Sequence, residues 1–479
     1  MAGYTGREMF KHIQDLTTEV AQLKRELARE KAAHKSVVLE LKNIVQCQAE
    51  RIVLLENEND RLRKIINGDS GNSSKPPSCD IKPNIPNNRE KSGRTPGGQK
   101  GREPKFLCKK DVEAKIASGE YAHEIVEVGE KSAEYKSKYI LDIKLSVVAK
   151  EYRFYEGAKI PKAFATDVQY GDEIRTFCTV LSTEGGVAID RLANFVKAAT
   201  VGVLSVSHGS IVNFLSKASA NSADRLQAIE DALLNSPLMH TDATVARVGN
   251  RNISVRNYST KKLTLLKATR TKSRKSLEET GILPKFTGDL VHDHETVMYR
   301  YGRNHGECNV HVLRYLKRNL QTTQNSWAKD LRAFLCCLNE HVKWLKNSGT
   351  TEISDEKFER LRQRYDEILA TGVEQNKRVK SKVYREDERR LLRRLEKYRE
   401  NHLLFLRDFN VPFDNNLSER DLRHVKTKQK ISGCWRSMVG AQNYLNVKSV
   451  IETCKKNGED FFVVIKNLFK KDSEPCTDP

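Results

Sequence analysis

Residues 9 to about 66 carry a heptad repeat, and a repeat sustained that long commits the segment to one extended helix that no globule can enclose. From Val38 the a positions are Val38, Val45, Ile52, Asn59 and Ile66, and the d positions are Leu41, Gln48, Leu55 and Leu62. β-Branched residues at a, mostly leucine at d and a single buried asparagine favour two parallel strands held in register. Upstream, Ile13, Leu16, Val20, Leu23 and Leu27 keep the spacing in another phase, which predicts a stutter between residues 28 and 37. Residues 1–68 are therefore expected to be a dimerising coiled coil, the alternative being an amphipathic helix packed on its own protomer.

A basic, Pro/Gly-rich linker is expected over 69–106, because the stretch from residue 67 holds six of the twelve prolines and cannot bury a core. Between Arg89 and Lys110 eight Lys or Arg stand against two Glu, a balance suited either to a phosphate backbone or to solubility. The whole chain carries a formal charge of +21, which favours a polyanionic partner, with DNA or RNA first. Ten scattered cysteines with no C-x-x-C pair exclude a disulfide framework and a zinc ribbon, and fit a reducing cytosol. Neither an N-terminal secretory segment nor an apolar run of about 18 residues is present, so no membrane partner is expected.

Alternation of Leu141, Ile143, Leu145 and Val147, resumed by Tyr152 and Phe154, predicts a small β module within 107–165. Residues 166–234 return to a helical period. There Ile189 to Ala199, a turn at Gly202 and a second helix from Ser210 form a candidate helix-turn-helix, or else plain helical scaffolding.

Three strands follow in Met239–Val248, Asn252–Tyr258 and Leu263–Ala268, with turns at Gly249-Asn250 and Lys261-Lys262, as an antiparallel meander. Asp242 closes the run Ser236-Pro-Leu-Met-His-Thr-Asp242, and Asp293 closes Gly288-Asp-Leu-Val-His-Asp293, so both carboxylates are expected at strand ends on one sheet edge. Glu419 falls in the first turn of a helix that Asn415 or Asn416 can cap. Such a set offers hard oxygen ligands to divalent cations, although acids are also common at these places for solubility and helix-dipole reasons. Residues 320–404 are helical and highly charged, and they separate Asp293 from Glu419 as an insertion. Within that insertion, Lys377 to Arg399 carries eleven Lys or Arg and four acids along a stripe of Leu391, Leu392 and Leu395, either a DNA clamp or a solvated face.

The stretch from Val411 to Arg436, with Phe413-Asp-Asn-Asn-Leu-Ser-Glu419 at its start, resembles the signature around the last acid of bacterial insertion-sequence DDE transposases of family sixty-six. Matching segments occur in the same order at Asn72–Ser78, Pro96–Gly101, His240–Asp242 and Cys308–Arg314, so the resemblance runs from residue 10 to about 455. It implies a multidomain α+β fold: coiled coil, small β module, helical region and an RNase H-like α/β catalytic domain in two parts, 235–319 and 405–455, split by the insertion, with a tail over 456–479. It further implies DNA cleavage and strand transfer with Asp242, Asp293 and Glu419 as catalytic metal ligands, holding two Mg²⁺ for which Mn²⁺ can substitute. Implied partners are double-stranded DNA at element ends and target DNA, a second copy through the coiled coil, and accessory proteins, in a bacterial cytoplasm beside the nucleoid. The family often carries a zinc-binding module where only Cys108 stands here, so a metal-free remnant that keeps its strands is expected. It also usually places an acid directly after the first aspartate, where this chain has Ala243.

Arg420, Arg423, Lys426, Lys428, Lys430 and Arg436 follow the glutamate as a basic run suited to DNA phosphates, and Trp435 either stacks on an unpaired base or packs in the core. His305, Cys308 and His311 are spaced to lie near one face of a helix, where packing is preferred to zinc for Cys308 and His311 is a candidate phosphate or water contact. His292 and His294 flank Asp293 on the opposite strand face, and Asp414 and Asp421 flank Glu419. The first rival to a transposase is a transposase-derived DNA-binding protein without catalysis. The second is a coiled-coil scaffold that binds RNA or acidic partners.

Overall fold

A computed structural model describes residues 6–67, 108–128, 136–157, 160, 164 and 166–470. The linker at 69–106 lies outside the described residues. The chain divides into two compact units, one of residues 1–83 and 306–414, the other of residues 84–305 and 415–479.

The first unit opens with α1, Gly6–Ile66, a continuous helix with no buried residue. At 1.5 Å per residue it is on the order of 90 Å long. Ile52, Leu55, Leu62 and Ile66 of the heptad seam are exposed along it. The rest of this unit is α8 (Asn309–Thr323), α9 (Ser326–Asn347), α10 (Asp355–Lys377), α11 (Lys382–Lys397) and α12 (Arg399–Arg407), so the expected insertion is helical throughout. Trp327, Leu331, Leu335, Tyr365, Leu395 and Leu406 form its core. Fully buried Glu388 ties the bundle together: its carboxylate accepts hydrogen bonds from Asn319, Thr323, Asn325, Asn376 and the Trp327 indole at 2.7–3.2 Å. A second buried acid, Glu307, accepts from Arg394 at 2.8 Å and lies 3.2 Å from His402.

In the second unit α2 (Lys109–Ala117) precedes α3 (Asp172–Thr183), α4 (Ile189–Ala199), α5 (His208–Asn221) and α6 (Ala223–Leu234). Then come β1 (Leu238–Val248), β2 (Arg251–Ser259), β3 (Thr264–Thr269), the short α7 (Arg274–Glu278), β4 (Asp289–His292) and β5 (His305–Glu307), within which the chain passes to the other unit. Strand order is β3-β2-β1-β4-β5. β1, β2 and β3 form the expected antiparallel meander, turned at Gly249 with φ +53°, and β4 joins β1 in parallel. After the insertion come α13 (Asn416–Ser432), α14 (Met438–Asn457) and α15 (Phe461–Lys470).

Alternation along the strands divides the sheet into two apolar faces. Met239, Tyr258 and Leu265 pack with Ile229 and Leu233 of α6 and with Leu277 and Met298. On the other face Ala246, Val255 and Leu266 pack with Leu422 and Val425 of α13 and Tyr444 and Leu445 of α14. A third cluster joins α3, α4 and α5 to α14 and α15 through Cys178, Leu192, Phe214, Val450 and Phe469.

Two expectations are corrected. Among the described residues of 107–165 only α2 is a helix of any length and no strand forms. Leu141, Ile143, Leu145 and Val147 stand exposed, so among the described residues the alternation has neither a partner strand nor a covering layer to stabilise it. The expected tail at 456–479 is not one as far as Lys470: α15 buries Ile465, Leu468 and Phe469 at helical spacing against the helices around α5. No described helix is long and apolar enough to cross a membrane.

Candidate active site

Parallel pairing sets the two aspartates level. Leu238, Met239 and His240 of β1 lie opposite Asp289, Leu290 and Val291 of β4. The same register, continued two residues past the last pair, would set Asp242 level with Asp293, and in-register residues of parallel strands project to one face. Asp293 follows the last residue of β4 as expected, and His294 then turns the chain with φ +58°. Asp242, by contrast, is not at a strand end, because β1 continues for six residues to Val248 as the long arm of the meander.

Two asparagines bring the start of α13 to this edge. The Asn257 carboxamide oxygen accepts from the Asp242 amide at 2.9 Å and from the Ser418 hydroxyl at 2.7 Å, while its Nδ2 reaches the Ser418 carbonyl at 3.3 Å. Ser418 is thereby pinned beside Asp242, and Glu419 is the next residue, in the first turn of α13 as expected. Asn415 is the N-cap residue by position, yet its side chain makes no capping bond. Instead its Nδ2 donates to the Thr241 carbonyl at 3.1 Å and to Asp293 Oδ1 at 3.2 Å, and its Oδ1 lies 3.0 Å from His240 Nδ1. A single buried amide thus joins β1, the end of β4 and α13.

Charge follows from this packing. Burial pushes the Asp242 carboxyl above its ordinary range, its own neighbouring amide at Ala243 (2.6 Å), Arg256 and Lys272 pull it back, and the like charge of Glu419 raises it. The Glu419 carboxylate makes no hydrogen bond or ion pair among the described residues, while its backbone N–H donates to the Asn415 carbonyl at 3.2 Å. Arg256 is buried on the opposite strand face, where its guanidinium bonds Thr241 and pairs with Glu295. Ala243 lies directly across from Arg256, so an acid at that place would face the guanidinium and not the side occupied by Asp242. Lys272 donates to the Ala243 carbonyl at 3.1 Å.

The neighbouring acid Asp421 is buried and saturated, accepting from Ser259 at 2.6 Å, Thr264 at 3.0 Å and Lys456 at 2.6 Å, which ties α13 and α14 to the ends of β2 and β3. His292 meets His305 at 3.3 Å and Tyr299 edge-on, and the Tyr299 hydroxyl lies 3.4 Å from His294, so both flanking histidines belong to one aromatic packing group. The expected helical face of His305, Cys308 and His311 does not form, since His305 is on β5, Cys308 precedes α8 and only His311 is helical. His311 is half-buried, and burial with Arg314 and Arg394 nearby pushes its pKa down to about 4.

Arg420, Arg423, Lys426, Lys430 and Arg436 are exposed, and Lys426 also donates to the Val245 carbonyl at 2.6 Å. Lys428 is not part of that surface: it is 8% exposed and its ammonium donates to the carbonyls of Ser182 and Val187. Alternation of helix faces turns it inward, one residue pair away from outward Lys426 and Lys430. Trp435 is half-buried, its ring 5.6 Å from that of Tyr444, and its backbone bridges Val248, so the indole belongs to the core. Sequence reading marks neither Asn257 nor Asn415 as a site residue; Asn415 lies inside the signature as a candidate cap, but nothing local marks a contact 175 residues away.

A family model described as Transposase IS66 family matches residues 167–443. That is more than half of the chain. No curated protein matches.

Proposed function

This chain belongs to the IS66 transposase family, and from that premise we propose that it is a DDE enzyme which cuts DNA at the ends of an insertion sequence and joins them to a target. The reading is supported by the parallel β1–β4 register, which continued two residues would level Asp242 with Asp293, together with the electrostatic proximity of Glu419 to Asp242. The donor set fits divalent cations: three carboxylates offer hard oxygens, and two like charges side by side are relieved by a cation between them. Asp242, Asp293 and Glu419 would hold two Mg²⁺, with Mn²⁺ able to substitute, which when bound supply activation of the attacking oxygen and stabilisation of the leaving one.

The chain's own residues do the positioning. Asn257 holds the backbone of Asp242 and Ser418, Asn415 holds Asp293, and Lys272 adds a positive charge beside Asp242. In the proposed sequence water attacks the phosphodiester at the element end, and the freed 3′-OH then attacks target DNA. Exposed Arg420, Arg423, Lys426, Lys430 and Arg436 would contact phosphates. The helix pair α4 and α5, whose outer surface carries His208, Asn213, Ser216 and Lys217, would enter a groove of double-stranded DNA. The exposed heptad seam of α1 would pair with that of a second copy.

The test is cleavage of a duplex carrying element ends, in Mg²⁺ and in Mn²⁺. Asp242→Asn should lower the rate by about 10³-fold or more, the size expected when several kcal/mol of metal assistance are lost, with unchanged DNA affinity. Wild-type chain that binds these ends yet cleaves them with neither ion would instead support a transposase-derived DNA-binding protein.

A further inference from the structure

We propose that a groove between the C-terminal end of α1 and helix α11 is a second DNA-backbone site, in the unit that lacks the three acids. The inference rests on the DNA-binding reading above but not on the catalytic one. The groove has a volume of about 1460 Å³, and eight Lys or Arg line it against three acids. Several of the cations are occupied: Lys64 pairs with Asp387, and Arg389 and Arg390 share Glu386. Arg51, Lys382 and Arg385 are exposed and make no ion pair among the described residues, so three charges on two helices point into the groove without partners.

The groove walls are joined firmly. Ser381 bonds the carboxylate of Asp60, the Tyr384 hydroxyl reaches the Asp60 carbonyl at 3.4 Å, and Arg318 donates to the Lys64 carbonyl at 2.8 Å. In the heptad frame that makes Ile52 and Asn59 a positions, Asp60 is a b residue and Lys64 an f residue. Those positions lie on the back of a coiled coil, so α11 grips α1 there, while the groove reaches round α1 as far as Leu55, a d residue. A cation cluster held on a preorganised surface binds phosphates with little ordering cost.

Two occupants compete on paper, and charge decides between them. A partner's α1 would bring Arg51, Arg61, Arg63 and Lys64 together with Glu56, Glu58 and Asp60, a nearly balanced set that leaves the positive wall uncompensated. A phosphate backbone neutralises that wall. No aromatic side chain lines the groove among the described residues, so stacking of unpaired bases has no platform and duplex DNA is favoured over a single strand.

The experiment measures binding of the full chain to fluorescent duplex DNA by anisotropy across a salt series, with sedimentation run in parallel. The triple variant Arg51→Ala, Lys382→Ala, Arg385→Ala should bind at least about tenfold more weakly at moderate salt and flatten the log–log salt slope by about 2 to 3. A control triple, Lys329→Ala, Arg332→Ala, Arg393→Ala, removes exposed charge of the same unit outside the groove and should change both much less. Equal effects of the two triples overturn the proposal, as does a shift of the monomer–dimer equilibrium in the groove variant with DNA affinity intact. Failure of the wild-type chain to bind DNA removes the broader reading as well, whereas normal binding by the groove variant removes only this site.

Discussion

Acids packed into the two units behave in opposite ways. Around Glu388 five neutral donors from α8, α9, α10 and the turn before α9 converge on one carboxylate, and no capacity is left for a ligand. Along the β1 edge, Asp242 accepts from its own neighbouring amide and faces another carboxylate. A saturated acid is a fastener; an acid crowded by its own kind is costly to fold around, which fits the cation site proposed there. Asp421, two residues beyond Glu419, is of the Glu388 type, so both kinds occur within one helical turn.

That contrast can be broken by measurement. Glu388→Ala should cost about 4 kcal/mol, because its donors are left buried without an acceptor, and chemical denaturation followed by Trp327 fluorescence should show it. Asp421→Ala should cost about 3 kcal/mol by stranding Lys456, which is half-buried, together with the Ser259 and Thr264 hydroxyls, and cleavage by the folded fraction should persist. A loss of cleavage beyond the loss of fold would move Asp421 to the functional class.

A pH series sharpens the comparison from another side. His424 is held neutral, its pKa pushed down to about 3 by burial first and by Lys448 and Lys455, with Glu184 opposing and the Tyr444 ring packed nearby. The unfolded chain takes up that proton below its ordinary value near 6.5, so stability is full above pH 6.5 and falls as pH drops through the window down to 3. Between pH 7.5 and 5 the loss should be about 2 kcal/mol, and His424→Gln should flatten the curve. Smallest is Asp242→Asn, which removes a repelled half-buried charge and should leave the fold unchanged or more stable by under about 1 kcal/mol. A marked destabilisation there would place Asp242 with the fasteners.

Periodic features were readable before the fold was known. The heptads of α1, the meander turned at Gly249 and the apolar runs before both aspartates are local patterns, and local patterns report directly on faces and turns. What escaped reading depends on distant partners. Asn415 looked like a helix cap because caps are local, and its bonds to Thr241, His240 and Asp293 exist only after the sheet and α13 meet. Lys428 sat in a run of cations whose common charge hid that one of them turns inward to the carbonyls of Ser182 and Val187. The strands expected near Leu141 had the right alternation, but alternation states only which faces a strand would have, not that a second strand will pair with it.

Asn415 also settles a question of tautomers. Its NH₂ group is spent on two oxygens that can only accept, the Thr241 carbonyl and the Asp293 carboxylate, so its Oδ1 is the atom that faces His240. That oxygen needs a donor, which fixes the imidazole hydrogen on Nδ1. The clamp between strand, loop and helix therefore depends on His240 donating from that nitrogen.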